Sequence, residues 1–255
     1  MSARPREPAP GAGFSEDGLL DGRVRLGQRR GSYRAAIDPV FLAAAVPAKP
    51  GESLLDLGCG AGAASLCLLA RVPDTRVTGL ELQADLVQLA GQNGRDNGWG
   101  ARFLPLSGDV AKPPPRLAPG SFHHVLCNPP QLSAGRTRPA ADPARDLANR
   151  EGTARLGDWV ATALAMVRSK GTITFIHRAD RLDDLLAAFS GRAGELVLFP
   201  LWPGAGKPAK RVILRARKDA ATPLRLAAGL VLHRPDGDFT PAAEAVLRAG
   251  RGLEL

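Results

Sequence analysis

Short apolar runs bounded by glycine and proline alternate, through most of the chain, with stretches whose apolar residues recur every three or four positions. The runs 53–57, 76–80, 101–106, 122–127, 172–177, 195–201 and 211–216 predict strands. Between them, residues 62–71 place Ala63, Leu66, Leu69 and Ala70 on one helical face, and 84–93 place Leu86, Leu89 and Ala90 together. Residues 153–168 do the same with Leu156, Trp159, Val160, Ala163, Leu164 and Val167, with Gly171 as the expected terminator. Strand–helix alternation of this kind implies a doubly wound α/β architecture, a mostly parallel sheet covered on both faces. Only Pro203, Gly204 and Gly206 separate the last two runs, which predicts an antiparallel hairpin at the sheet's end.

Ahead of the sheet, residues 20–26 read as a hairpin-like opening, and Asp38-Pro39 predicts a helix start with Asp as cap and Pro at the first helical position. Residues 1–18 read as a disordered tail, and 19–255 as one domain: an opening hairpin and helix over 19–50, then a core over 51–255. The stretch 128–153 is long and irregular, with a helical turn expected at Asp142-Pro143, and connections this long are often functional loops.

The 255 residues, 44% of them hydrophobic and 23% charged, are enough to bury a core without staples, which excludes a wholly disordered chain. Cys59, Cys67 and Cys127 form no CxxC pair, so neither a zinc ribbon nor a disulfide framework is expected, and a reducing cytosol is the natural setting. No apolar run approaches the ~18 residues of a membrane span, and the first residues lack the apolar centre of a signal peptide. The net charge of +9 has two readings. One is an arginine-rich composition; the other is a polyanionic partner drawn by a salt-sensitive attraction.

The strongest chemical signal is Leu54-Leu55-Asp56-Leu57-Gly58-Cys59-Gly60-Ala61-Gly62 at a strand-to-helix turn. Alternate glycines let the backbone bend tightly and let a ligand approach the main chain. Glu81 ends the next strand, where a carboxylate accepts hydrogen bonds from both hydroxyls of a ribose. Gly58, Gly60 and Ala63 also fit the dinucleotide pattern G-x-G-x-x-[GA], so a nicotinamide-dependent dehydrogenase is one alternative, and a plain glycine turn another. Asp56 weighs against a pyrophosphate and suits a cationic ligand. S-adenosyl-L-methionine carries an amino group, a sulfonium and a ribose. Asp109, after the third strand, would accept from its adenine amino group, or is a surface turn residue.

The second signal is Cys127-Asn128-Pro129-Pro130-Gln131 at the end of the fourth strand. Two consecutive prolines fix the backbone, so the Pro129 carbonyl and the Asn128 side-chain oxygen can converge on one point. Two acceptors at one point suit a planar NH2 group. Accepting both its protons frees the nitrogen lone pair to attack a methyl group, and no general base is then required.

With these motifs the chain resembles a class I S-adenosylmethionine-dependent methyltransferase of the small-domain group with an N-P-P-aromatic motif. It is most similar to the bacterial tRNA1(Val) adenine-N6-methyltransferase family. The resemblance runs over roughly 19–255 and includes Gly31-Ser32-Tyr33-Arg34, Asp38, Arg150-Glu151, His177-Arg178 and the closing Asp236-Gly237-Asp238-Phe239-Thr240. It implies a Rossmann-like sheet of seven strands with the last one antiparallel. It also implies that Asp56, Gly58, Gly60, Gly62, Glu81, Asp109 and Asn128 hold the cofactor, with Tyr33 and Asp38 beside it. Asn128, Pro129 and Pro130 would then form the catalytic amine-holding turn. The implied substrate is an unpaired adenine in tRNA, whose extrusion costs little. One departure stands out: the family's aromatic after Pro-Pro, which stacks on the base, is Gln131 here.

On or near the loop that follows, Arg136, Arg138, Arg145, Arg150 and Arg155 are read as phosphate contacts, and Lys207 with Lys210 and Arg211 as a second basic patch. His123 and His124 face opposite sides of one strand, and neither they nor His177 and His233 have metal spacing, so no metal is expected. Cys59 and Cys127 are read as space-filling residues, and Trp159 as part of a buried helix face. Three functions remain in play: an RNA adenine-N6-methyltransferase, a methyltransferase acting on another planar NH2 such as a protein glutamine amide or guanine N2, and a non-catalytic RNA-binding module that keeps the fold.

Overall fold

The computed structural model describes residues 14–29, 37–131 and 154–255. Tyr33, Arg136, Arg138, Arg145, Arg150 and the turn expected at Asp142-Pro143 lie outside the described residues.

The chain opens on a hairpin of β1 (Phe14–Leu19) and β2 (Val24–Arg29), in register from Phe14 with Arg29 to Leu19 with Val24. The expectation of a disordered tail to residue 18 is corrected here, because β1 starts at Phe14. Its sequence, FSEDGL, carries no alternating pattern of its own; the alternately buried β2 beside it supplies the template. Next come α1 (Asp38–Ala45), β3 (Ser53–Leu57), α2 (Ala63–Arg71), β4 (Arg76–Glu81), α3 (Ala84–Asp96) and β5 (Phe103–Ser107). The second half holds β6 (Phe122–Cys127), α4 (Leu156–Met166), β7 (Val167–Arg178), α5 (Leu182–Phe189), β8 (Gly194–Gly204) and β9 (Arg211–Arg217). The short strands β10 (Arg225–Leu226) and β11 (Leu230–His233) and helix α6 (Pro241–Leu247) close the chain.

The main sheet runs β5-β4-β3-β6-β7-β9-β8, with β9 antiparallel to both neighbours and β10 and β11 added along β8. The expected seven strands are therefore nine. The last of the predicted strands, β9, is antiparallel as expected, and it lies between β7 and β8: α5 carries the chain past one position, and the β8–β9 hairpin fills it. Chain order reverses between β3 and β6, so their carboxyl ends diverge there and leave a crevice of the kind in which ligands bind on open α/β sheets.

Two apolar layers sandwich the sheet. Leu54 of β3, Ile176 of β7 and Leu66 and Leu69 of α2 belong to one, with α1; Leu55 and Leu57 of β3 join Val160, Ala163 and Phe175 in the other. Successive strand residues point to opposite faces, so Asp56 shares the α2 face with Leu54. Gly171 does not terminate a helix as expected. Helix α4 ends at Met166 and β7 starts at once, with an irregularity in its pairing to β6; a Cβ on Gly171 would lie 2.6 Å from the His123 carbonyl. At α1 the cap position falls to Ile37, with no side-chain cap bond, and Asp38 is the first helical residue.

Candidate active site

The turn after β3 keeps Gly58, Gly60 and Gly62 all at positive φ, at +68°, +55° and +93°. Two of them differ in what surrounds them. A Cβ on Gly58 would lie 2.7 Å from Cη2 of Trp159, whereas a Cβ on Gly60 would meet none of the described residues within 4 Å. Gly58 thus lets α4 close against the turn, and Gly60 borders open space. The N–H groups of Gly58 and Cys59 both donate to the Leu80 carbonyl, at 2.7 and 3.1 Å, which ties the turn to the end of β4. On the far side, Asn93 donates to the Ala61 carbonyl at 2.9 Å and pairs with both backbone groups of Gly27, docking the opening hairpin against the same turn.

Two buried carboxylates flank the turn. Asp56 accepts from the Ser65 hydroxyl at 2.6 Å beneath the start of α2, and burial, aided by the Glu81 charge, pushes its pKa up to about 7. Glu81 accepts from the Gly60 N–H at 3.0 Å through one oxygen and from the Gln83 N–H at 2.9 Å through the other. Burial raises its pKa as well. Each Glu81 oxygen keeps a further lone pair for a ribose hydroxyl. Asp109 sits just beyond β5 and accepts from the Ala111 N–H at 2.8 Å, fixing its own turn; the preceding Gly108 donates to the Glu81 carbonyl at 2.9 Å.

The Asn128-Pro129-Pro130 turn leaves β6 beside the glycine turn, since Leu57 pairs with Cys127 and the next residues are Gly58 and Asn128. The carboxamide of Gln131 folds back onto it. Its Nε2 donates to Asn128 Oδ1 at 2.7 Å and to the Pro129 carbonyl at 3.1 Å. Its Oε1 accepts from Nδ1 of His177 at 3.2 Å. Gln131 is 8% exposed and His177 fully buried, and burial, with nearby Arg181, Arg211 and Arg178, brings the His177 pKa down to about 4. Neutral His177 donates through Nδ1, and its Nε2 has no partner among the described residues.

Sequence reasoning placed Asp56, Gly58, Gly60, Gly62, Glu81, Asn128 and Pro129 at one crevice, and the structure brings these together. Asp38 is engaged elsewhere on the same edge: buried, it pairs with Arg211 at 2.8 Å. That pairing also removes Arg211 from the free basic patch expected with Lys207 and Lys210. The two site residues missed by sequence reasoning are His177, which was read as a structural histidine, and Trp159, whose ring covers Gly58. No local spacing announces either one, because both reach the turn from other strands and helices. The remaining histidines have structural partners: His124 bonds Thr172 and Glu52, at 2.7 and 2.8 Å, and His123 bonds Ser53 at 2.9 Å. The three cysteines are buried thiols whose pKa values burial raises, Cys67 to about 12. No metal-competent cluster occurs among the described residues.

A turn that approaches open space at Gly60, a carboxylate able to take a ribose and a second acid buried behind it fit S-adenosyl-L-methionine. Residues 35–142 match the methyltransferase small domain. Over 207 residues, 80% of this chain and 84% of the other, the sequence is 24% identical to a tRNA1(Val) (adenine(37)-N6)-methyltransferase of Vibrio campbellii. A protein of the same name from Cronobacter sakazakii is 25% identical over 97% of this chain and 98% of its own. Among solved structures, a predicted O-methyltransferase from Agrobacterium tumefaciens superposes with a TM-score of 0.71 at 28% identity, over 85% of this chain and 98% of that one. The chain is thus similar to the methyltransferase small domain over residues 35–142 and shares the fold of solved methyltransferases. It is an S-adenosylmethionine-dependent methyltransferase.

Proposed function

We propose that the protein transfers a methyl group to the exocyclic N6 of an unpaired adenine in tRNA. The observation that carries this reading is the pair of acceptors at Asn128 Oδ1 and the Pro129 carbonyl, which already receive both hydrogens of one planar NH2 group. Adenine offers the same group at N6. Two charge-neutral acceptors orient it and lend electron density to nitrogen without removing a proton first. The bound cofactor supplies an electrophilic methyl group on sulfur. Pro129 and Pro130 fix the acceptor carbonyl, and Glu81, with the Gly60 backbone it supports, would seat the ribose end of the cofactor. The net charge of +9, the relatives named as tRNA methyltransferases and the arginines at 136, 138, 145 and 150 support an RNA partner.

The test is methyl transfer from labelled S-adenosyl-L-methionine to unmodified bulk tRNA, read by nucleoside mass spectrometry. N6-methyladenosine is the expected product. Asn128→Ala should abolish it while leaving cofactor affinity within about twofold, because it removes one acceptor from the amine and none of the glycine turn. Methylation that survives in this variant would refute the amine-holding assignment. One observation favours a second reading: the group seated on the acceptors is a primary carboxamide, so a glutamine side chain of a protein substrate fits the same turn. Label in protein rather than in tRNA would support it.

A further inference from the structure

We propose that Gln131 is itself a methyl-acceptor site, methylated on Nε2 within the same chain. This inference rests on the reading of Asn128 and Pro129 as the amine-holding pair. If they hold a substrate amine for methyl transfer, then a nitrogen seated on both of them stands where the acceptor must stand. Gln131 Nε2 gives one hydrogen to each of the two oxygens, at 2.7 and 3.1 Å. The rest of the carboxamide is equally fixed, because its oxygen takes the Nδ1 hydrogen of His177 at 3.2 Å and the side chain is buried. A side chain anchored at three points has given up most of its rotamer freedom, so it is pre-organised as a reactant rather than passing through the site by chance.

His177 acts here as a positioning residue. With its Nδ1 hydrogen on Gln131 Oε1, it sets which end of the amide faces the acceptors, and withdraws the alternative in which oxygen would face Asn128 Oδ1. Methyl transfer then balances simply. The lone pair on Nε2 forms the new N–C bond, and the S–C bond of the sulfonium breaks with its electron pair staying on sulfur, leaving a neutral thioether. The surplus proton on nitrogen leaves to water by way of an acceptor oxygen. One N–H remains afterwards, so only one acceptor can still be served and a single methyl group per chain is expected.

The experiment uses the full-length protein, examined by peptide mass spectrometry as purified and after incubation with S-adenosyl-L-methionine carrying a trideuterated methyl. Gln131 is the one glutamine in the tryptic segment 117–136, so the site of label is unambiguous. The expected result is one methyl group on Gln131, either already present or acquired, and none in Gln131→Glu, which keeps the shape and lacks the NH2. Asn128→Ala should reduce the label to background. A second readout needs no cofactor: the side-chain NH2 resonances of Gln131, assigned by their loss in Gln131→Glu, should exchange with solvent far more slowly than those of the other glutamines. Asn128→Ala should remove that protection. An unmethylated Gln131 in protein shown by calorimetry to bind the cofactor would overturn the inference, as would unprotected resonances. Methylated tRNA with unlabelled Gln131 sinks this inference alone. Labelled Gln131 with unmethylated tRNA sinks the RNA reading alone.

Discussion

Alanine at Gly58 and alanine at Gly60 should fail in different ways, although the two glycines stand two residues apart in one turn. Both sit in the left-handed region, so either substitution carries a backbone cost of roughly 1–2 kcal/mol. At Gly58 the new methyl also meets the ring of Trp159, with Cη2 at 2.7 Å and Cζ3 at 2.8 Å. That ring is buried in the layer formed by α4 and cannot swing out, so an overpacking cost of ~1–3 kcal/mol follows. Gly58→Ala should therefore lose roughly 2–5 kcal/mol of stability, a drop in Tm on the order of 10 °C. At Gly60 none of the described residues lies within 4 Å, so the stability loss stops near the backbone cost. The methyl there projects into the space the cofactor needs, and a comparable overpacking penalty would fall on binding: roughly 5- to 150-fold in Kd. Urea denaturation and calorimetric titration with S-adenosyl-L-homocysteine separate the two effects. A Gly60→Ala protein that binds this ligand like the wild type would show that the open space beside Gly60 is not the cofactor's seat.

The pH dependence of stability should show two opposing slopes. Asp56, raised from 3.8 to about 7, binds its proton more tightly when folded and loses stability as pH rises from 4 to 7, while His177, lowered from 6.5 to about 4, loses stability as pH falls through 6.5 toward 4. Each slope is about 1.4 kcal/mol per pH unit, so the two nearly cancel between pH 4 and 6.5, and Asp56→Asn should expose an acid-side loss of about 3 kcal/mol from His177; urea midpoints unchanged by pH in that variant would contradict the assignment. Arg211→Ala strands the buried Asp38 carboxylate and should cost near the lower end of ~3–5 kcal/mol, since Arg211 keeps 31% exposure, with most of it recovered in the double variant with Asp38→Asn; equal stability of the two variants would refute the pairing.

Strands 53–57 and 122–127 were legible to the residue because each carries a short apolar run that ends at a turn sequence, Gly58 in one and Asn128-Pro129-Pro130 in the other. β1, β10 and β11 were not predicted as strands. β1 is largely polar, β10 is two exposed residues and β11 is only four residues long, so pairing with β2 or β8 makes them strands and the signal lies in the partner rather than in the segment. The site divides in the same way. Asp56, Glu81 and Asn128 could be read because a βα turn forces function into short, fixed spacing. The bond between Gln131 and His177 joins residues 46 positions apart and arises from tertiary placement alone.

The same geometry decides between the two cofactor classes that the glycine pattern permits. In a dinucleotide-binding turn the pyrophosphate occupies the first amides of the following helix. Here Asp56 already stands at the start of α2, taking the Ser65 hydroxyl and its backbone N–H. An incoming phosphate would find those donors in use and a second acid, Glu81, bonded to Gly60 within the turn itself. Burial has raised the pKa of both acids, so a phosphate would raise them further and be opposed by them, whereas a cation would draw them toward ionisation and be bound by the charge it creates. The requirement is for a positively charged ligand that also carries a ribose. Binding of S-adenosyl-L-methionine near pH 7 should therefore release a fraction of a proton from Asp56, seen as a buffer-dependent heat in calorimetry and lost in Asp56→Asn; proton uptake on binding would overturn this electrostatic reading.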